Sequence, residues 1–170
     1  GSIFTLDSTN FSPSGGGAGI SISGSSPTVI NNIISNNNSE FQDSDNSGGG
    51  ISIICGFGPW SGCSPIIENN IITNNFAHPM AGGIMSSVNE ESNPIFKGNL
   101  IFDNECGYGI YGSPCGARID SRGEFYNNTI YNNGDDNGGA DFISPCDFDE
   151  NPVIIYNNII ENIHIAGTSQ

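Results

Sequence analysis

One tetrapeptide constrains this chain more than anything else in it. Asn-Asn-Ile-Ile recurs at 31–34, 69–72 and 157–160, with looser copies at 98–101 (Gly-Asn-Leu-Ile) and 127–130 (Asn-Asn-Thr-Ile). The second asparagine of each copy falls at Asn32, Asn70, Asn99, Asn128 and Asn158, at intervals of 38, 29, 29 and 30 residues. Four residues further on stand Asn36, Asn74, Asp103, Asn132 and Asn162. Two other landmarks keep this period. Ser26-Pro27, Ser64-Pro65, Asn93-Pro94 and Asn151-Pro152 each open a short apolar run, with Gly123-Glu124 in the remaining repeat. Glycine-rich entries at 17–20, 48–51, 82–84, 107–110 and 138–140 open another. Self-similarity at a fixed period of this length marks stacked units, each too small to bury a core alone.

Each unit reads as a glycine-rich turn, a short strand, a variable loop, a proline, a second strand, an asparagine turn and a third strand. Runs such as Thr28-Val29-Ile30 and Ile51-Ser52-Ile53-Ile54 are short and β-branched, which suits strands. Gly, Pro, Asn and Ser separate them at turn positions. The expected fold is therefore all-β: a right-handed parallel β-helix, a solenoid of about five coils with about thirty residues and three strands per coil. Coils spaced by one strand separation would give a stack about 24 Å tall. Residues 1–170 form one domain in this reading, with 1–16 a partial coil, 17–163 the repeats and 164–170 a tail.

The asparagines then have a physical reason. A side-chain amide carries two donors and an acceptor, and stacked at one site on successive coils such amides bond to each other and to turn backbone. Asparagine also tolerates the left-handed conformation that tight corners need. Both series are expected to ladder: Asn32, Asn70, Asn99, Asn128 and Asn158, and Asn36, Asn74, Asp103, Asn132 and Asn162. Ile33, Ile71, Leu100, Thr129 and Ile159 would stack beside the first series as a core column.

Composition narrows the function. Hydrophobic residues make up 35% of the chain and charged residues 12%, which suits a thin core built one coil at a time. Eighteen acidic residues face three basic ones, Lys97, Arg118 and Arg122, for a net charge of −15. That excludes nucleic acid, anionic membranes and polyanionic glycans as expected partners. No run approaches the roughly 18 apolar residues of a membrane span. No signal peptide is evident, so a secreted chain would be in its mature form. Of five cysteines, Cys55 and Cys63 bracket the segment 56–62, and a disulfide closing that loop is the natural pairing. Disulfides imply an oxidising compartment, and the odd count leaves one thiol over.

The pattern Gly-Gly-Gly-Ile, then Ser-Pro-x-Ile-x-Asn-Asn-Ile-Ile, then Asn-Asn resembles the right-handed parallel β-helix repeat superfamily. That group includes pectate-lyase-like proteins, NosD-like repeats and many bacterial or archaeal surface proteins. The resemblance spans residues 17–163. It implies the fold and leaves activity open, since this architecture hosts lyases, hydrolases, epimerases, adhesins and structural proteins.

Lyases of that superfamily use an Arg or Lys base with calcium held by carboxylates. Here Lys97 and Glu68 each lie three residues after a proline and should pair across coils. Arg118, Asp120 and Arg122 alternate along one strand, with Glu90 and Glu91 expected in the previous coil and Asp147, Asp149 and Glu150 in the next. A surface charge ladder is the expectation, and no catalytic residue is assigned. Two acidic loops, with Asp43 and Asp45 in one and Asp135 and Asp136 in the other, are the weak candidates for calcium. His78 and His164 suggest no catalytic arrangement. Phe57, Trp60 and Phe76 cluster near one loop, where Trp60 could stack on a sugar. Glycosylation sequons begin at Asn10, Asn37 and Asn127.

A β-helix has two open ends of unpaired strand edges, and no amphipathic cap is evident at either. The leading expectation is a secreted or cell-surface structural protein, non-catalytic, that self-associates through its coil ends into filaments. The alternatives are a carbohydrate-binding or polysaccharide-degrading β-helix, and a calcium-dependent adhesin module.

Overall fold

The computed structural model describes residues 3–4, 19–39, 48–55, 62–78, 81–107, 114–120, 122–134, 140–145, 153–161 and 163–166. After β1 (Ile3–Phe4), the first coil carries β2 (Ile20–Ser23), β3 (Thr28–Ile30), β4 (Ile33–Ser35) and β5 (Asn38–Ser39). The second carries β6 (Ile51–Cys55), β7 (Ile66–Glu68), β8 (Ile71–Thr73) and β9 (Phe76–Ala77). The third carries β10 (Ile84–Val88), β11 (Ile95–Lys97), β12 (Leu100–Phe102) and β13 (Glu105–Cys106). Then come β14 (Pro114–Asp120), β15 (Glu124–Tyr126) and β16 (Thr129–Tyr131), followed by β17 (Ala140–Pro145), β18 (Ile154–Tyr156) and β19 (Ile159–Ile160), and last β20 (Ile163–Ala166).

Like strands of successive coils pair in parallel, which makes the chain an all-β solenoid. The first sheet runs β2-β6-β10-β14-β17-β20, the second β3-β7-β11-β15-β18 and the third β1-β4-β8-β12-β16-β19. A fourth, β5-β9-β13, was not expected from the three-strand repeat. Its strands are two residues long, below what hydrophobic periodicity can register. Three coils thus carry four strands, and the later ones carry three among the described residues.

Registers follow the repeat. Ile20, Ile51, Ile84, Ala117, Phe142 and Ile163 form one column of the first sheet, although the register shifts between Pro114 and Ala117. The glycine-rich entries exist because successive backbones approach too closely for a side chain. A Cβ on Gly50 would stand 2.7 Å from the Gly83 carbonyl oxygen, and one on Gly83 would stand 2.2 Å from that of Gly116.

The core is a stack of inward columns. The second sheet contributes Ile67, Phe96 and Phe125, and the third Ile34, Ile72, Ile101 and Ile130, all wholly buried. Each such aliphatic or aromatic side chain contributes roughly 1.5–3 kcal/mol on burial. The column expected beside the first asparagine series faces the other way: Ile33, Ile71 and Ile159 are exposed, and Leu100 and Thr129 are half-buried. Side chains alternate along a strand, so the residue directly after each ladder asparagine points outward and the next, at 34, 72, 101 and 130, points in.

Candidate functional site

The most ordered polar feature is the corner between the second and third sheets. Asn31, Asn69, Asn127 and Asn157 turn the chain at φ of 53–58°, and Gly98 does so at 64°. The next residue of each coil turns its amide inward. The backbone N–H of Asn32 donates to Asn70 Oδ1 at 2.9 Å, Asn70 to Asn99 at 3.0 Å, Asn99 to Asn128 at 2.9 Å and Asn128 to Asn158 at 2.8 Å. Each side-chain Nδ2 donates to the same oxygen at 3.0–3.2 Å. The amides of Asn70, Asn99, Asn128 and Asn158 also donate down the stack to the carbonyls of Val29, Ile67, Phe96 and Phe125. Every coil is thereby tied to the one above and the one below, and the buried turn backbone finds its partners.

A second ladder lines the corner after the third sheet, but not on the residues expected. Asn36, Asn74, Asp103 and Asn132 hold φ of 51–57° and their side chains lie outside the core. Asn36 and Asn74 donate to the hydroxyls of Ser35 and Thr73, and Asn132 donates to Asp103. The ladder belongs to the following residue: Asn37, Asn75, Asn104 and Asn133, whose Nδ2–Oδ1 bonds measure 2.8–2.9 Å. One residue makes the turn and its successor makes the ladder, because a reversal at positive φ flips which side the chain presents. In the first series the ladder residue is the second asparagine of the pair, and the same rule applies here. Asn162 lies outside the described residues.

Two disulfides brace the first sheet. Cys55 at the end of β6 pairs with Cys63, as expected from the sequence, and Cys106 in β13 pairs with Cys115 in β14. The second pair was missed, although its separation of 9 residues matches the 8 of the first and it too brackets a segment rich in glycine. Cys146 lies outside the described residues.

The cations divide. Lys97 and Glu68 stand opposite each other in register and pair at 3.0 Å. The hydrogen bond to Glu68 raises the lysine above its ordinary pKa, against the opposing effect of desolvation. Arg118 departs from the expected cross-coil ladder. Its register partners are Met85 and Ile143, so neither Glu90 nor Glu91 lies opposite it. Its Nε instead donates to both carboxylate oxygens of Asp120, two residues along the same strand, at 2.9 and 3.1 Å. Glu90 and Glu91 follow the end of β10, whose unshifted register with β14 places Met85 opposite Arg118. Asp147, Asp149 and Glu150 lie outside the described residues.

The outer face of the first sheet, where Arg118 and Asp120 sit, is unevenly covered. Ser52 and Met85 alternate with the core residues Ile51, Ile53 and Ile84 and so face outward, yet both are fully buried, whereas Ile54, Ser87, Arg118 and Asp120 on the same face are half-buried. The calcium candidates Asp43, Asp45, Asp135 and Asp136 lie outside the described residues, as do Phe57 and Trp60. Among the described residues no group of three or more metal-ligating side chains forms. His78 packs its ring on Gly107, a rung above, where a Cβ would collide with it. Stacked rings mark the outer faces: Phe102 on Tyr131 at 5.3 Å and Tyr126 on Tyr156 at 4.7 Å.

Parallel sheets, laddered corners and a columnar core define a parallel β-helix repeat protein. The match to a family model agrees: residues 1–170 fit the family described as right handed beta helix region, and the chain belongs to it. No curated protein and no solved structure matches it.

Proposed function

We propose that this chain is a structural, non-catalytic stretch of an extracellular or cell-surface β-helix that joins end to end with copies of itself. The observation that carries the reading is how its polar chemistry is engaged. The inward asparagines bond between coils, Lys97 is paired across coils and Arg118 is held by its own strand neighbour. Such groups hold a stack together; Arg122, just after β14, is the cation without an ion pair among the described residues, and a lyase-type base would need a cation of that kind directed at a substrate. Two disulfides support an oxidising compartment. The inward residues Val29, Ile155 and Ile160 are only partly buried and the outward Ile154 and Tyr156 are exposed, which suits the stacking of a further coil, whether of this chain or of a copy. A further parallel coil would cover all of them in the existing register.

Electron microscopy of the purified protein over a range of concentrations tests this. Filaments with a repeat of five or six strand spacings, roughly 24–29 Å, are expected. Short separate particles at every concentration would overturn self-assembly. Turnover of a neutral polysaccharide that is lost on replacing Arg118 would overturn the non-catalytic reading.

A further inference from the structure

We propose that Asn127 is an attachment site for an asparagine-linked glycan. The proposal rests on the extracellular reading and adds a modification to it. Two sequons begin within the described residues, and the fold gives their asparagines opposite fates. Asn37 is 1% exposed and its Nδ2 lies 2.8 Å from Asn75 Oδ1, inside the second ladder. A sugar on that buried nitrogen would have no room beside the ladder bond. Asn127 is a turn residue at φ 55°, exposed, and its amide belongs to neither ladder.

The surroundings of Asn127 favour a bulky substituent. The neighbouring Asn128 anchors the corner through Asn158 and Phe96, so the turn holds its shape while Asn127 projects outward. The residue at the same corner position one coil earlier is Gly98, which offers no side chain to crowd a glycan. Thr129, the third sequon residue, lies on the outer face of β16. The sugar donor would be an oligosaccharide on a lipid pyrophosphate. A bond forms between Nδ2 and the anomeric carbon, the bond from that carbon to the pyrophosphate oxygen breaks, the lipid pyrophosphate leaves, and the nitrogen loses one proton.

Expression of the chain in a glycosylating secretory host, followed by peptide mass mapping of secreted and cell-retained pools, tests the assignment. Secreted, disulfide-bonded protein should carry a glycan mass on Asn127 and none on Asn37. Thr129→Ala should lose the Asn127 glycan while still being secreted. Because transfer precedes folding, occupancy can also be read in the retained pool, so poor secretion does not hide the answer. Asn127 unmodified in both pools would overturn the proposal, and so would a glycan on Asn37 in the secreted, disulfide-bonded pool. The extracellular reading fails separately, if the protein recovered from its own source is cytosolic with reduced cysteines.

Discussion

The two asparagine corners look alike in sequence and divide their work in the same way, yet they tolerate different things. At the corner between the second and third sheets the turn position accepts Gly98 among its asparagines, so what it requires there is positive φ. At the corner after the third sheet the turn position accepts Asp103, and its side chains bond the local hydroxyls of Ser35 and Thr73 or each other across coils. The ladder position accepts only asparagine at both: five at the first corner and, among the described residues, four at the second. A turn asks for a backbone conformation, which more than one residue supplies. A ladder asks for two donors and an acceptor in one short side chain, which asparagine alone supplies at that length.

The largest effect expected is from breaking a ladder in its middle. Asn99→Ala removes the acceptor used by two donors of Asn70 and takes one donor from the Ile67 carbonyl, all buried. Asn104→Ala does the same to Asn75 and the Ile72 carbonyl. Buried groups left unpaired cost about 1–3 kcal/mol each, so each variant should lose about 3–5 kcal/mol in denaturant unfolding. A loss near zero at one corner would mean that its ladder is ornamental, and the equivalence of the corners would be broken.

The corners differ in covalent support. Cys106 follows the second corner by two residues and is tied to Cys115, whereas among the described residues no disulfide adjoins the first. Replacing both cysteines with serine should cost about 2–4 kcal/mol, the usual range for such a link. Hydrogen exchange would sharpen the contrast: the backbone N–H of Asn104 should lose more protection than that of Asn99. Equal loss at both would show that the corners unfold as one unit.

The turn position is the next test. Asn74→Ala places an ordinary side chain at φ 54° and should cost about 1–2 kcal/mol. Asn74→Gly should be close to neutral in the same melt, since glycine stands at this φ in Gly98. A costly Asn74→Gly would mean that the bond to Thr73 matters more than the backbone.

How much of this was legible in the sequence follows the same division. The first ladder could be read because Asn-Asn-Ile-Ile repeats almost unchanged there. The second was read one residue early, since Asn36-Asn37 and Asn74-Asn75 offer two asparagines each and the period alone cannot say which turns inward. The core column beside the first ladder was displaced by one for a different reason: the ladder residues were placed correctly, and strand alternation then turns Ile33 outward and Ile34 inward. The fourth sheet rests on two-residue strands, which leave no periodic trace, whereas the Cys106–Cys115 pair was legible in the same short bracket as Cys55–Cys63 and was passed over. Glu90 and Glu91 were expected beside Arg118 from the 29-residue interval of the asparagines, whereas the register sets Arg118 opposite Met85, 33 residues earlier, because the length of a coil is not constant along the first sheet.

Ser86 extends the contrast from bonded to unbonded buried polar groups. It occupies the inward column with Ile22, Ile53 and Ile119, and its hydroxyl is buried without a hydrogen-bond partner. Ser86→Ala should therefore stabilise the protein by about 1 kcal/mol, where the same truncation at a ladder asparagine destabilises it. Destabilisation by Ser86→Ala would mean that the hydroxyl is bonded after all.

The smallest effect belongs to the outer face. Lys97 and Glu68 pair across coils in the open, where ion pairs hold little weight. Lys97→Met should shift the melting temperature only slightly at neutral pH, far less than any ladder variant. The sign of its pH dependence is fixed by the raised lysine pKa. A group protonated more readily in the folded chain adds stability throughout the range below its unfolded pKa and loses it as pH rises through the folded value. The gap between wild type and Lys97→Met should thus stay constant from neutral pH up to the ordinary lysine range and close as pH rises beyond it. A gap that persisted there would assign the effect of Lys97 to packing of its methylene chain on the neighbouring strands, not to its charge.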